Sequence, residues 1–392
     1  MKDDAMAGYK RLIRSTKWLF VLPVWLCLDV ASSVLAQSID SKADIRIGMV
    51  NAQTGPVAEL GQAMLTGAQA VFNEINAKGG VHGRKIVLQV ADDAYEPEQT
   101  LEKTQQMVQD EQVLALFGYT GTPTVNAVLP LIDEHDVPLI GVISGSYGLR
   151  QPILRRVFNL RASYQDETEA IVARLLEKGA KKVAVVYQND GFGLAVLSGV
   201  DSALLKRGAV VHAAGSFQRN TVAIRMALST MVEQQPDAIV LAGHYTPVAA
   251  FIKQVRATGL RPQFATVSVV GTERLMEQLG VDGQGMLISQ VVPLPNESEL
   301  PIARDCRAAL QRQSGKQMTF ITFEACISAR LLVRALEKAG PKPTRKALVA
   351  SLESMRSADL GGLPIQLSED NHQASDLVFL TEILDGKLVS AR

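Results

Sequence analysis

Short runs of consecutive apolar residues alternate along the chain with longer segments whose apolar positions recur every three or four residues. Apolar runs occupy residues 45–50 and 113–117, and helical periodicity marks residues 61–78 and 98–110. Buried strands separated by helices predict parallel sheets that are covered on both faces. The alternation restarts at residue 182, with strands predicted at 182–187, 209–215, 238–242 and 264–267 and helices predicted at 192–207, 222–233 and 247–258. Two such series predict an α/β protein with two doubly wound, Rossmann-like lobes.

The last hundred residues do not continue this alternation. A predicted strand at 285–292 is followed by a turn-rich passage, two helical segments and a short β-hairpin closed by Asp385 and Gly386. We expect these pieces to return to the two lobes rather than to form a third. The predicted lobes are 43–159 with 292–360, and 160–291 with 361–392.

The N-terminal segment has the pattern of a secretory signal. Several basic residues precede an apolar segment at 18–30, and small residues follow it up to Ala36. This pattern predicts a signal peptide, residues 1–36, that is cleaved after export. A membrane anchor is disfavoured because the apolar run is short and contains Pro23 and Asp29. We therefore expect an exported protein that is not embedded in the membrane.

Composition and motifs exclude several function classes. The formal net charge is zero, with 40 basic and 40 acidic residues, and without a basic patch nucleic acid is not an expected partner. No GxGxxG follows the first strand, and the five histidines lie too far apart for a metal site. The residues Ser144, Gly145 and Ser146 lack the GxSxG pattern of a nucleophile elbow. We expect a protein without cofactors that is not an enzyme.

Two cysteines remain after the predicted signal peptide, which contains Cys27. Cys306 and Cys326 lie on two helical segments, each ten residues from Lys316 in the turn between them. An antiparallel helix pair would bring the two cysteines level, and an oxidising compartment would allow a disulfide. The alternative is two small buried hydrophobic residues, because packed helices do not always bring Cα atoms within bonding range.

The stretch GYTGTPT, residues 118–124, joins an apolar run to a helical segment. Glycine allows the backbone to approach another group closely, and hydroxyls beside the free N–H groups of a helix start can hold an anion. The alternative is an ordinary helix N-cap with a flexible turn.

The sequence resembles the type I periplasmic solute-binding proteins of the branched-chain amino acid class. The resemblance begins with GMVNAQTGPVAELGQAMLTGAQAVFNEINAKGGVHGRKIVLQVADDAYEPEQT and continues through GYTGTPT, VAVVYQNDGFGLAVLSGV and DAIVLAGHY. It covers nearly all of the chain after residue 36. It implies two α/β lobes joined by three crossing strands, with a ligand held in the cleft between them, in the periplasm.

The resemblance also implies the ligand-binding residues. In this family the loop after the third strand offers hydroxyl and backbone N–H groups to the carboxylate of the ligand. The implied carboxylate residues are Thr122, Pro123, Thr124, Ser144, Gly145 and Ser146. The implied residues of the remaining site are Tyr164, Phe192, His244, Tyr245 and Ser268.

Two departures from the family pattern bear on the ligand. Ser268 stands where amino-acid binders place the acidic partner of the ammonium group, and Leu60 replaces a tyrosine. An unpaired buried ammonium is costly, so we expect a carboxylate other than an ordinary α-amino acid. Glu167, Asp166 or Asp190 could replace the missing acid. The alternative is a structural role: Asp166 and Glu167 lie where a helix N-terminus favours acids, and Asp190 lies in a turn.

The resemblance implies a solute-binding protein of an ABC importer that captures a small carboxylate, either an amino acid or an organic or aromatic acid. The expected partners are the permease subunits, and we expect a monomer. The alternative is a periplasmic receptor subunit that presents the bound solute to a membrane signalling protein.

Overall fold

The computed structural model describes residues 43–110 and 112–391. The predicted signal peptide lies outside these residues. Within them, no helix is both long enough and apolar enough to cross a membrane.

The first sheet consists of five parallel strands near the N-terminus. They are β1 (Ile45–Asn51), β2 (Ile86–Asp92), β3 (Ala115–Phe117), β4 (Leu139–Ile140) and β5 (Val157–Phe158). Their order in the sheet is β2-β1-β3-β4-β5, so the chain adds strands on both sides of β1. The apolar runs are buried because helices cover both faces, as in other parallel sheets.

The second sheet has seven strands in the order β14-β13-β10-β9-β8-β6-β7. Strands β6 to β10 are parallel to one another, and the C-terminal hairpin β13–β14 pairs antiparallel with β10. A separate two-stranded ladder joins β11 and β12. The bounds are β6 (Val183–Gln188), β7 (Ala213–Phe217), β8 (Ala238–Ala242), β9 (Gln263–Thr266), β10 (Leu287–Gln290), β11 (Ala358–Asp359), β12 (Pro364–Ile365), β13 (Phe379–Leu384) and β14 (Lys387–Ser390).

Eleven α-helices are present in the described residues. They are α1 (Ala58–Ala77), α2 (Pro97–Gln109), α3 (Thr122–Glu134), α4 (Tyr164–Glu177), α5 (Gly191–Leu205), α6 (Arg225–Gln234), α7 (Tyr245–Ala257), α8 (Thr272–Leu279), α9 (Pro301–Ser314), α10 (Phe320–Ala339) and α11 (Arg345–Glu353). Helices α9 and α10 pack against α1. A disulfide joins Cys306 on α9 to Cys326 on α10, with the Cα atoms 6.0 Å apart.

The chain passes between the two sheets three times. It leaves the first sheet after β5, returns after β10 to the helices that pack on α1, and crosses again before β13. At the first and third passages the backbones pair, since Asn159 N–H donates to His372 O and Ala374 N–H donates to Asn159 O. We propose that each sheet with its helices is one of the two predicted lobes.

The predicted elements differ from the structure mainly near β7. The strand predicted at 209–215 begins only at Ala213, and the helix predicted at 222–233 begins at Arg225. Strand β7 is an edge strand, and Val210 is 67% exposed. The predicted strand began too early because Val210, although apolar, lies outside the core. Helices α8 and α11 and the short strand β5 were not predicted.

Candidate functional site

Two hydroxyl groups meet at the carboxyl edge of the first sheet. Gly121 precedes α3 with φ 99°, and Thr122 opens the helix. The loop after β4 brings Ser144 beside it, so that Thr122 Oγ1 lies 2.8 Å from Ser144 Oγ. Both side chains are buried. Buried hydroxyls next to a helix N-terminus are suited to an anionic ligand.

The neighbouring predicted residues have different roles in the structure. Thr124 Oγ1 donates to the carbonyls of Thr120 at 2.5 Å and of Gly121 at 2.9 Å, so its hydroxyl is used within its own helix start. Pro123 is in the first turn of α3. Ser146 is buried, and its backbone N–H donates to Ser144 Oγ at 3.2 Å.

A close backbone approach connects this edge to α4. Tyr164 N–H donates to Gly145 O at 2.6 Å. A Cβ atom on Gly145 would lie 2.4 Å from Tyr164 Cδ1. Only glycine fits at this position, because any side chain would overlap the tyrosine.

A row of four aromatic rings comes from the starts of α4, α5 and α7 and from the loop after β2. The centroids of Tyr164 and Phe192 are 5.4 Å apart, and Phe192 stacks on His244 at 5.4 Å. His244 in turn lies nearly perpendicular to Tyr95, from the loop after β2, with centroids 5.1 Å apart. All four rings are buried. The structure thus brings Tyr164, Phe192 and His244 together with the loop that bears Thr122.

Several polar contacts join the two sides of the cleft. Gln188 Nε2 donates to Tyr95 Oη at 3.3 Å, and Arg219 forms an ion pair with Glu96 at 2.8 Å. Asn220 Nδ2 also donates to Glu96 at 2.8 Å. These residues mark the line along which the two predicted lobes meet.

Tyr245 lies apart from the aromatic row. Its ring packs on Gly271, where a Cβ atom would lie 2.8 Å from Tyr245 Cδ1 and 3.2 Å from Leu60 Cδ2. Its hydroxyl interacts with the backbone of Glu59, and burial raises the pKa of this hydroxyl. Tyr245 therefore bridges the two sides of the cleft beside Leu60.

A pocket of about 370 Å³ opens beside the aromatic row. Its walls come from both sides of the cleft and are mostly apolar, as in small-molecule sites of other proteins. The residues that line it are Pro56, Val57, Gln188, Asn220, Thr221, Val222, His244, Thr246 and Pro247.

Ser268 is held from behind by buried charges. Arg161 Nη2 donates to Ser268 Oγ at 2.6 Å, and Arg161 Nε lies 3.1 Å from Glu324 Oε1 on α10. Glu167 Oε2 accepts the backbone N–H of Ser268 at 2.8 Å and the hydroxyl of Ser289 at 2.6 Å. Arg161 Nη1 and Glu167 Oε1 have no hydrogen-bond partner in the described part of the chain.

These charges connect elements from both sides of the cleft. Arg161 and Glu324 are almost fully buried. Burial raises the pKa of the Glu324 carboxyl to about 7, and the Arg161 guanidinium limits the rise. A buried pair of this kind becomes very costly when one partner is removed.

A second buried arginine supports the hydroxyl groups. Arg150 Nη2 donates to Ser144 O at 3.1 Å, and Arg150 Nη1 donates to Ser146 O at 2.9 Å. Burial lowers the pKa of Arg150 to about 10, so it remains a cation at neutral pH. A cation behind this loop makes the electrostatic potential more favourable for an anion.

Comparison with known proteins identifies the family to which the chain belongs. A model described as periplasmic binding protein matches residues 44–387. The chain belongs to the periplasmic binding protein family. It is 27% identical over 361 residues to a Leu/Ile/Val-binding protein of Rhizobium johnstonii, covering 89% of this chain and 94% of that protein. The relatives of this periplasmic binding protein are substrate-binding proteins and not enzymes.

Solved structures show the same fold. A possible leucine/isoleucine/valine-binding protein from Rhodopirellula baltica matches with a TM-score of 0.87 and 31% identity, covering 91% of this chain and 98% of that one. A substrate-binding periplasmic protein from Ralstonia solanacearum matches with a TM-score of 0.83 and 27% identity, covering 89% and 100%. The predicted fold class of this periplasmic binding protein is confirmed.

Glu167, Asp166 and Asp190 could replace the acidic group that is missing at Ser268, but they differ in the hydrogen bonds that they already make. Asp166 forms a capping box with Ser163 at the start of α4, and Asp190 accepts the backbone N–H of Phe192 as the N-cap of α5. Glu167 lies directly behind Ser268 and has one unpaired oxygen. Of the three, only Glu167 forms a hydrogen bond with Ser268.

Sequence reasoning missed the buried polar partners of this periplasmic binding protein. Arg150, Arg161 and Glu324 come from three separate segments, and no local pattern connects them. Tyr95 has φ 64° and packs against Gly121, and its place in the conspicuous segment DDAYEP was the one available signal. Among the described residues, no group of three or more histidines, cysteines or acids could hold a metal ion.

Proposed function

We propose that this protein is the solute-binding component of an ABC importer and captures a small carboxylate in the cleft between its two sheets. The observation that carries this proposal is the buried pair Thr122 Oγ1 and Ser144 Oγ, 2.8 Å apart at the N-terminus of α3. Hydroxyl donors and a helix N-terminus together favour a carboxylate.

The charges around Thr122 and Ser144 also favour a carboxylate ligand. Arg150 lies behind the loop that carries Ser144, and Arg161 lies behind Ser268. The aromatic row provides apolar surface for the body of the ligand. Relatives named Leu/Ile/Val-binding proteins support a ligand of similar size.

The expected partners are the permease subunits of the importer. We propose that the protein works in the periplasm as a monomer after residues 1–36 have been removed. Mass spectrometry of the exported protein would test the cleavage, since a mass that still includes residues 1–36 would contradict it.

Calorimetric titration of residues 37–392 with small carboxylates tests the binding site. Thr122→Ala should weaken binding by roughly 1–3 kcal/mol, because the ligand oxygen loses a buried donor. Thr230→Ala is the matched control, since Thr230 lies on α6 and bonds only to Met226 O in its own helix. Equal affinities of the wild type and Thr122→Ala would contradict the proposed site.

Uptake measurements test the importer role. Cells that lack the protein should fail to import the carboxylate that it binds, and the wild-type protein should restore the uptake. Normal uptake without the protein would contradict a role in import, while leaving the binding result intact.

A further inference from the structure

His244 has a defined tautomer. Its Nδ1 lies 3.2 Å from the carbonyl oxygen of Val269. Because a carbonyl oxygen only accepts hydrogen bonds, Nδ1 carries the proton and donates it. Burial lowers the pKa of His244 to about 4, so the ring is neutral and its Nε2 is a hydrogen-bond acceptor.

This acceptor has no partner. His244 is 4% exposed, and its Nε2 is buried without a hydrogen bond among the described residues. The ring stacks on Phe192 and lies nearly perpendicular to the ring of Tyr95. A buried acceptor without a donor is rare and costly in a folded protein. The missing donor can come from a ligand, because His244 borders the pocket in the cleft.

Ser268 precedes Val269 in the chain, and its side chain needs an acceptor where His244 Nε2 needs a donor. Its Oγ accepts from Arg161 Nη2, and an arginine can only donate. Its backbone N–H is used by Glu167. The proton of the Ser268 hydroxyl is therefore left for an acceptor. Val269, which fixes the His244 tautomer, is the next residue in the chain.

A hydroxyl group can both donate and accept, whereas an ammonium only donates and a carboxylate only accepts. We propose that the site selects a hydroxy-substituted carboxylic acid, whose hydroxyl donates to His244 Nε2 and accepts from Ser268 while its carboxylate binds at Thr122 and Ser144. The inference rests on the proposed function and names the ligand class of the same site.

Ligands that share one skeleton test this inference. Titrations with mandelate, phenylacetate, phenylglycine and benzoylformate compare a hydroxyl, a hydrogen, an ammonium and an oxo group beside the same carboxylate. The para-hydroxyphenylacetate ion places the hydroxyl at the far end of the ring. We expect at least one hydroxy acid to bind about 10–100-fold more tightly than phenylacetate, the range expected when a buried hydrogen bond is satisfied.

Substitution of the histidine tests the assigned partner. His244→Phe keeps an aromatic ring against Phe192 but lacks Nε2, so the preference for the hydroxy acid over phenylacetate should disappear. His212→Phe is the matched control, because His212 lies before β7 and its Nε2 already contacts Gln234 O at 3.0 Å. This control should keep the preference.

A measurement on the wild type keeps the test independent of the folding of the variant. Nitrogen NMR should show the unprotonated Nε2 of His244 shifting when the hydroxy acid is added, and a smaller shift with phenylacetate. An unchanged signal on saturation with the hydroxy acid would overturn the inference.

The titrations separate the two proposals. If phenylacetate or phenylglycine bound as tightly as both hydroxy acids, the inference would be wrong while the carboxylate function stood. If only carboxylates without a hydroxyl bound, the inference would again be wrong while the carboxylate function stood. If no small carboxylate bound, both would be overturned.

Discussion

The two sides of the cleft are built in different ways. On the side of the first sheet, Thr122 and Ser144 are placed by the loops that directly follow two strands. On the other side, Ser268 is placed by Arg161, which is paired to Glu324 from a distant helix. On the first side, local backbone geometry places the hydroxyls, and Arg150 holds their loop through hydrogen bonds to backbone carbonyls. The other side depends on a buried ion pair between distant segments.

This difference predicts that the second side is more sensitive to single substitutions. A loop with a helix N-terminus keeps most of its hydrogen bonds when one side chain is removed. A buried ion pair does not, because removal of one partner leaves the other charge uncompensated. Substitutions on each side can test this expectation.

The largest effect is expected for Arg161→Met. Glu324 would lose the buried cation that it pairs with, and the free energy of unfolding should fall by roughly 3–5 kcal/mol. Urea denaturation measures this loss. Arg312→Met is the control, since Arg312 is 61% exposed in its ion pair with Glu74 and should change stability by about 0–1 kcal/mol. Similar losses in the two variants would show that the buried charges are no more sensitive than the surface.

Gly121→Ala should have the next largest effect, on the first side. The new Cβ would lie 2.2 Å from Tyr95 Cε2, at a φ of 99° that other residues rarely adopt. We expect a loss of roughly 2–4 kcal/mol from strain and overpacking together. Gly315→Ala isolates the strain, because Gly315 has φ 65° and nothing within 4 Å of its Cβ position.

Denaturation midpoints of the two glycine variants compare the effects directly. If Gly121→Ala were no less stable than Gly315→Ala, the contact with Tyr95 would contribute nothing to this side of the cleft.

A smaller effect is expected on the pH dependence of stability. The pKa of Glu324 is raised from 4.5 to about 7 by burial. A carboxyl with a raised pKa binds its proton more tightly in the folded state, so its contribution favours folding at low pH and is lost as the pH rises through about 7. Between pH 4.5 and about 7, the stability of Glu324→Gln should therefore fall less steeply with rising pH than that of the wild type.

Urea titrations across this pH range measure the slope. Burial also raises the pKa of Asp93 to about 6, so some decline should remain in the variant. Glu102→Gln, at an exposed position on α2, should keep the wild-type slope. A slope in Glu324→Gln equal to that of the wild type would exclude Glu324 as its source.

The smallest effect is expected for Thr124→Ala. Its hydroxyl donates only to the carbonyls at the start of its own helix, so we expect a loss of about 0.5–1.5 kcal/mol in stability. Ligand affinity should change much less than in Thr122→Ala. A loss of affinity as large as that of Thr122→Ala would show that Thr124 also contacts the ligand.

Much of the fold followed from periodicity. Apolar runs and helical segments predicted the two α/β series, and the bounds of β1, β6 and β8 agree with the structure to within one residue. Buried parallel strands have a continuous apolar sequence, so their position is visible locally. Edge strand β7 lacks this constraint, and its predicted start was wrong.

The hydroxyl loop was also visible in the sequence. Gly121 and Thr122 are adjacent in GYTGTPT, and the start of a helix can be predicted from neighbouring residues. The resemblance to a family added Phe192, His244 and Ser268, which lie far apart in the chain. Their roles as ligand-binding residues remain predictions.

By itself, the sequence determined the class of fold and the hydroxyl groups at one helix N-terminus, because both depend on residues a few positions apart. Only the tertiary structure decided the pairing of Arg161 with Glu324, and the disulfide between Cys306 and Cys326. The tautomer of His244 was likewise decided by its contact with Val269, 25 residues away. Burial and hydrogen-bond roles depend on which distant segments meet, and no local pattern encodes that.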